Sequence, residues 1–302
     1  MKVVKFGGSS LASGNSVDKA LSIINADPER QVVVVSAPGK RTEDDIKVTD
    51  LMITYAYMSL RSNNYQDIAT RIFKRYELIA QYFELPEAEL EDIKQLLLTL
   101  PKLSYPNNDY RMATFKAHGE RLNAILIAKI LNHQGIKARF LEPKDVGLIV
   151  TGTSNNAEVN PETYVNLKRI KAAKDEKIIF PGFYGITPSG HIATFSRGGS
   201  DITGAILARG LNADLYENFT DVDAIFSANP HIVDQPKPIK RMTYQEMREL
   251  SYAGFSVFHD EALIPAIQGE IPVNVKNTNA PEKPGTIIVP EDGFIPKHTI
   301  TG

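Results

Sequence analysis

Gln31-Val32-Val33-Val34-Val35-Ser36 (QVVVVS) decides the fold class of this chain of 302 residues. Four consecutive valines leave a strand no polar face, so both of its faces must be covered. Such a strand belongs inside a parallel or mixed sheet with helices on either side. Ala37-Pro38-Gly39 then breaks it.

The same alternation of short β-branched runs and helical periods continues in both directions. Upstream, Lys2 to Phe6 reads as a short apolar strand ended by Gly7-Gly8, and Ser16 to Asn25 as an amphipathic helix. Downstream, Val48 to Leu100 is helical by period, a block with the look of an insertion or a lobe cap, and Pro101 and Pro106 punctuate its end. Arg111 to Gln134 predicts a long helix stopped by Gly135. Strand-like runs follow at Lys137 to Leu141, Leu148 to Thr151, Lys177 to Phe180 and His191 to Thr194. Gly198-Gly199 precedes a helix over Asp201 to Leu211, and the strand Asp214 to Phe219 comes next. Thr243 to Ala253 and Asp260 to Gln268 look helical; Pro272 to Asn277 and Thr286 to Val289 look extended. Pro290 to Pro296 reads as a linker, and no internal repeat is present. The expected fold class is therefore α/β, with a mainly parallel central sheet and a helical insertion.

Composition narrows the function classes. The 42% hydrophobic and 23% charged residues are those of a globular chain with a sizeable core. A net charge of -2 argues against nucleic-acid or anionic-membrane partners. No cysteine is present, which excludes disulfides and thiolate metal sites. No apolar run is long enough for a signal peptide or membrane span, so the expected location is cytoplasmic.

Two glycine loops carry the chemistry. Lys5-Phe6-Gly7-Gly8-Ser9-Ser10 ends the first strand, where glycines let backbone N–H groups approach an anion closely. Lys5 stands where its ammonium can meet phosphoryl oxygens. One Gly-Gly pair after a strand is equally well a plain tight turn. Ser196-Arg197-Gly198-Gly199-Ser200-Asp201 is the second loop, again directly before a helix. An N-cap accounts for Ser200 or Asp201, but not for an arginine and two glycines as well. Two such loops, each opening a helix beside a cation, suit a triphosphate clamped from two sides. Neither has the spacing of a Walker loop or of a dinucleotide fingerprint.

These residues resemble aspartokinases. Lys5 to Ser10 (KFGGSS) is similar to the family's opening motif. The likeness continues through Ser36, Thr49-Asp50, His118-Gly119-Glu120, Phe180 to Gly185, Arg197 to Asp201, and Thr220 to Pro230 (TDVDAIFSANP), in the family's order. It implies a single three-layer α/β/α catalytic domain over 1–292, with an amino-acid lobe over about 1–195 and a nucleotide lobe over about 196–292. The implied reaction is ATP plus L-aspartate giving ADP and 4-phospho-L-aspartate, the first step toward lysine, threonine and methionine. Residues 293–302 look like the entry to a C-terminal ACT regulatory region, and a homo-oligomer is expected for the full-length protein.

Phosphoryl transfer needs in-line positioning and charge neutralisation more than covalent chemistry. Lys5 is the expected electrostatic catalyst, and Asp201 would orient it and help organise the metal-bound phosphates. Gly7, Gly8, Ser9, Gly198 and Gly199 would contact the phosphates. By the resemblance, Thr220, Asp221 and Asp223 contact the nucleotide, with Phe226 near the base or ribose; turn formation explains the two aspartates equally well. Arg197 can hold the α-carboxylate in a bidentate fork and Glu120 can pair with the α-ammonium. Ser36, Thr49 and Ser200 complete the substrate set. Magnesium is expected on the phosphates rather than in a protein cage. The acceptor carboxylate is already ionised, so none of the six histidines is needed as a base.

The chain departs from the family at Phe226, at Asn229-Pro230-His231 and at Ser256, all on the adenosine side. Other amino-acid kinases of the same fold, acting on acetylglutamate, glutamate or carbamate, are the nearest alternatives. A non-catalytic sensor is the alternative of a different class. Glu120 beside Arg197 speaks against an acceptor whose amine is blocked, and a sensor has no need of the Lys5 and Asp201 pair.

Overall fold

The four valines divide between two apolar cores, Val33 and Val35 on one side of a sheet and Val32 and Val34 on the other. The computed structural model describes residues 1–61, 65–173, 175–196, 198–227, 233, 236–252 and 260–290. Its strands are β1 (Lys2–Phe6), β2 (Arg30–Val35), β3 (Ala138–Phe140), β4 (Val150–Thr153), β5 (Asn156–Val159), β6 (Lys177–Pro181), β7 (Tyr184–Ile186), β8 (Ile192–Thr194), β9 (Leu215–Thr220), β10 (Arg241–Thr243), β11 (Val273–Asn277) and β12 (Thr286–Val289). The helices are α1 (Gly14–Asn25), α2 (Val48–Arg61), α3 (Gln66–Tyr82), α4 (Glu91–Thr99), α5 (Asn108–His133), α6 (Pro143–Val146), α7 (Glu162–Leu167), α8 (Gly199–Gly210), α9 (Tyr244–Tyr252) and α10 (Ile264–Gln268).

Eight strands form one sheet in the order β10-β12-β11-β9-β1-β2-β6-β3. Every pairing in it is parallel except β11 with β12. Two short antiparallel hairpins, β4–β5 and β7–β8, stand apart. One face buries Val4, Phe6, Ile179 and Phe219 under α1 to α5. The other buries Val3, Phe180, Tyr216 and Val273 under α6 to α10. The α/β expectation holds, as three layers. Among the described residues no helix is long and apolar enough to cross a membrane.

The helical block expected over Val48 to Leu100 is α2, α3 and α4, and its apolar side chains share one core with the sheet. It roofs the sheet, as a lobe cap does. Helix starts fall earlier than periodicity alone suggested, because caps set them. Ser13 accepts from the Ser16 N–H and starts α1 at Gly14; Asn107 accepts from the Asp109 and Tyr110 N–H groups and starts α5 at Asn108. The segment Asp260 to Gln268 splits into a short 3-10 turn and α10. The linker expectation for 293–302 lies outside the described residues.

Candidate active site

Strands β1, β2 and β9 run parallel and side by side, so the loops leaving Phe6, Val35 and Thr220 gather at one end of the sheet. That end is where open α/β sheets place ligands. The parallel register sets Lys5 opposite Asn218. Lys5 is only 7% exposed, and its Nζ lies 2.7 Å from Asp201 Oδ1. Asp201 stands in the first turn of α8, where the helix dipole favours a carboxylate. A Cβ on Gly7 would sit 3.6 Å from Lys5 Nζ, so the ammonium lies directly beneath the first glycine loop.

In that loop the Gly7 N–H donates to the Phe219 carbonyl at 3.4 Å, and Ser9–Leu11 makes a 3-10 turn. A Cβ on Gly8 would lie 2.8 Å from the Ala37 carbonyl oxygen, and one on Gly39 would lie 2.6 Å from the Gly8 carbonyl carbon. The Gly39 N–H donates to the Gly8 carbonyl at 2.8 Å. These two glycines are required because two loops touch backbone to backbone. Behind them the buried Arg75 donates to the Gly39 carbonyl at 2.5 Å and the Ile46 carbonyl at 2.7 Å, and lies 3.2 Å from Asp45. Arg41, with Arg75 adding, holds the Asp45 carboxyl well below the usual carboxylate range.

The second loop enters α8 through Gly198 in the left-handed region at φ 73°. Gly199 packs on Phe183, whose Cδ2 would be 2.5 Å from an added Cβ, and the buried Ser200 packs on Gly182. Phe183 itself has φ 79°, an outlier for an aromatic residue, held by a bond from its N–H to Thr203 Oγ1 at 3.0 Å. Arg197 lies outside the described residues, as do 229–231 and Ser256.

A cleft of about 490 Å³ opens between the first loop and the segment after β2. Gly8, Ser9, Ser36, Thr49, Glu120, Thr220 and Asp221 line it, all of them expected from the sequence. Ala37, Pro38, Gly39, Lys40 and Lys47 line it too; in sequence the first three look like a strand break and the two lysines carry no motif. Asp223 and Phe226 are not among its lining, nor are Lys5, Gly7, Gly198, Gly199, Ser200 and Asp201. Asp223 is engaged by Lys283 at 2.5 Å and Asn277 at 2.6 Å, which pull its carboxyl below the ordinary value. Phe226 forms an isolated bridge with Pro238. A second cleft of about 450 Å³, lined by Arg139, Asp145, Arg169 and Lys171 among others, contains none of the expected site residues.

Glu120 is the unusual group of the cleft. It is 5% exposed, the Ala37 N–H donates to its carboxyl, and Oε2 has no partner. Burial pushes the carboxyl up to about 8, against smaller opposing pulls from the backbone N–H groups of Ala37 and Glu120 and, last, from Lys116. Lys116, one helical turn earlier on α5, places its ammonium 5.6 Å from the Phe183 ring centroid, and burial pushes its pKa down. A buried carboxyl with an unused oxygen in a polar cleft is shaped to receive a cation. His118 is different: its Nδ1 meets the Thr114 carbonyl at 2.8 Å, its Nε2 lies 3.0 Å from Arg121 Nη1, and burial holds it down to about 3. It is neutral and fully engaged.

The arrangement sets a buried ammonium under the first glycine loop, and in the cleft beside that loop a buried carboxyl with an unpartnered oxygen. The chain is 54% identical over 289 residues to aspartokinase 3 of Bacillus subtilis (strain 168), covering 96% of this chain and 63% of that protein. It is 31% identical to chloroplastic aspartokinase 1 of Arabidopsis thaliana, over 95% of this chain and 51% of that one. The chain thus spans less than two thirds of the length of these relatives. Among solved structures it is similar to Clostridium acetobutylicum aspartate kinase (36% identity, TM-score 0.81, 98% of this chain and 64% of that one). It is also similar to Escherichia coli aspartokinase III in complex with aspartate and ADP (25% identity, TM-score 0.83, 96% of this chain and 64% of that one). The family model for amino acid kinases matches residues 1–277, and the chain belongs to the amino acid kinase family.

Proposed function

We propose that the chain transfers the γ-phosphoryl group of ATP to the side-chain carboxylate of L-aspartate, giving ADP and 4-phospho-L-aspartate. The observation that carries this is Glu120, a buried carboxyl with an unpartnered oxygen in the same cleft as the Gly8–Ser9 loop. A free α-ammonium satisfies it; an acylated amine does not. Ser36 and Thr49, which line the same cleft, offer hydroxyls to the acceptor carboxylate. The named relatives and the complex of Escherichia coli aspartokinase III with aspartate and ADP support the choice of aspartate and of an adenine nucleotide.

Lys5 supplies positive charge as the phosphoryl oxygens gain negative charge, and Asp201 holds it in place. The glycine loops, with Arg197 and Ser200 of the second, position phosphates and acceptor in line. Magnesium would enter on the phosphates and keep its waters, since it takes few protein ligands. Magnesium supplies charge neutralisation there. With aspartate already ionised at neutral pH, no base is required. We place the protein in the cytoplasm, in amino-acid biosynthesis toward lysine, threonine and methionine, and as a homo-oligomer when full length.

The test is ADP release with MgATP and a panel of aspartate, N-acetylaspartate, glutamate, N-acetylglutamate and carbamate. Turnover with aspartate and none with N-acetylaspartate is expected. Turnover with an N-acetylated acceptor would overturn the role given to Glu120, and turnover with carbamate alone would overturn the substrate.

A further inference from the structure

We propose that Asn218 is a positioning residue for phosphoryl transfer, a crossbar between Lys5 and Asp201 that fixes the direction of the Lys5 ammonium. This rests on the function proposed above. Asn218 is wholly buried in β9, opposite Lys5 on one neighbouring strand and Val275 on the other. Its Nδ2 donates to Asp201 Oδ1 at 2.6 Å and to the Tyr216 hydroxyl at 3.3 Å, while its Oδ1 accepts from Lys5 Nζ at 3.5 Å. The amide can face only this way: an ammonium only donates and an ionised carboxylate only accepts. Tyr216 closes the network by donating to the Asp201 carbonyl at 3.2 Å. Its hydroxyl comes so close to α8 that a Cβ on Gly204 would meet it at 2.4 Å.

An ammonium carries three N–H groups. Here one goes to Asp201 and a second toward Asn218, which leaves the third for a ligand at the Gly7 loop. Without the crossbar the ammonium would keep only its contact with Asp201 and could swing about it. Packing alone would favour an apolar side chain in a strand interior between two cores, where a buried amide must be fully bonded to be tolerated.

Two substitutions test this. Asn218→Leu keeps the branching and the number of heavy atoms and deletes every bond; kcat should fall about 10- to 100-fold, as for loss of one bond to a charged group, with KM for aspartate and MgATP little changed. Asn218→Asp sets a second carboxyl beside Asp201, and at that distance both cannot ionise, so one keeps a proton and replaces the amide donor. The groups facing that pair are the Lys5 ammonium from β1 and the Tyr216 hydroxyl from β9 itself. Raising the pH removes the shared proton, so kcat of this variant at saturating aspartate should fall with rising pH over a range where that of the parent is flat. Lysine side-chain NMR gives a readout independent of turnover: Asn218→Leu should shift or broaden the Lys5 ammonium signal. Parent-like kcat in Asn218→Leu, or an unchanged Lys5 signal, overturns the proposal. Inactivity of the parent chain toward aspartate overturns the proposed function instead, and the NMR result then still decides the role of Asn218.

Discussion

Glu120→Gln should make the protein more stable and its acceptor binding worse. Burial holds the Glu120 carboxyl at about 8, against an ordinary value of 4.5. Between those two values the unfolded chain has released the proton and the folded one keeps it. The folded state then binds more protons, so stability falls as pH rises across that window. Each pH unit is worth about 1.4 kcal/mol, which caps the penalty at about 5 kcal/mol at and above pH 8. Glutamine cannot ionise, keeps the volume and still accepts from the Ala37 N–H. Urea unfolding of both proteins at several pH values should therefore show curves that nearly coincide near pH 4.5 and separate progressively toward pH 8. In function the sign reverses. Aspartate must displace the proton from Glu120, so its affinity for the parent should weaken by up to about tenfold per unit as pH drops below 8, while that of the variant stays flat and low. A pH-independent difference in stability, or a destabilised variant at pH 8, would refute the reasoning.

Lys5→Met should lower kcat by about 1000-fold, the scale of losing a preorganised charge at the reacting group, measured by ADP release. Gly8→Ala drives a methyl group against the Ala37 carbonyl and parts the two loops, so kcat/KM should fall by about 100-fold with a smaller loss of stability, read by kinetics and thermal melts. Glu217→Ala strands Arg30, which is buried and bonded to both Glu217 oxygens at 2.6 Å and 2.9 Å. It should cost about 3–5 kcal/mol in urea unfolding and leave kcat near the parent value wherever the protein is folded. His118→Gln should leave the pH–rate profile between about pH 6 and 8 unchanged, because the imidazole is already neutral there.

The long elements were legible because their patterns have a single solution. Four valines in a row cannot face water on either side, and the structure splits them between two cores. Short elements such as β5, β7 and α6 escaped, since three or four residues give no period to count and their places depend on tertiary partners. Gly39 was visible only as a strand breaker, although its close approach to Gly8 could have been suspected once β1 and β2 were recognised as parallel strands with their loops at the same end. Lys40 and Lys47 line the cleft but read in sequence as ordinary surface lysines. Asn218 is the clearest case: in ENFT it looks like a polar residue on the outer face of a strand, and only the register opposite Lys5 shows what it holds.

The most direct test of the central claim is to trap the product of a MgATP and aspartate reaction with hydroxylamine and identify the hydroxamate, for the parent chain and for Lys5→Met. The account predicts aspartate β-hydroxamate from the parent, in amounts matching ADP, and almost none from the variant. Hydroxamate formed equally by Lys5→Met, or an α-hydroxamate from the parent, would contradict it.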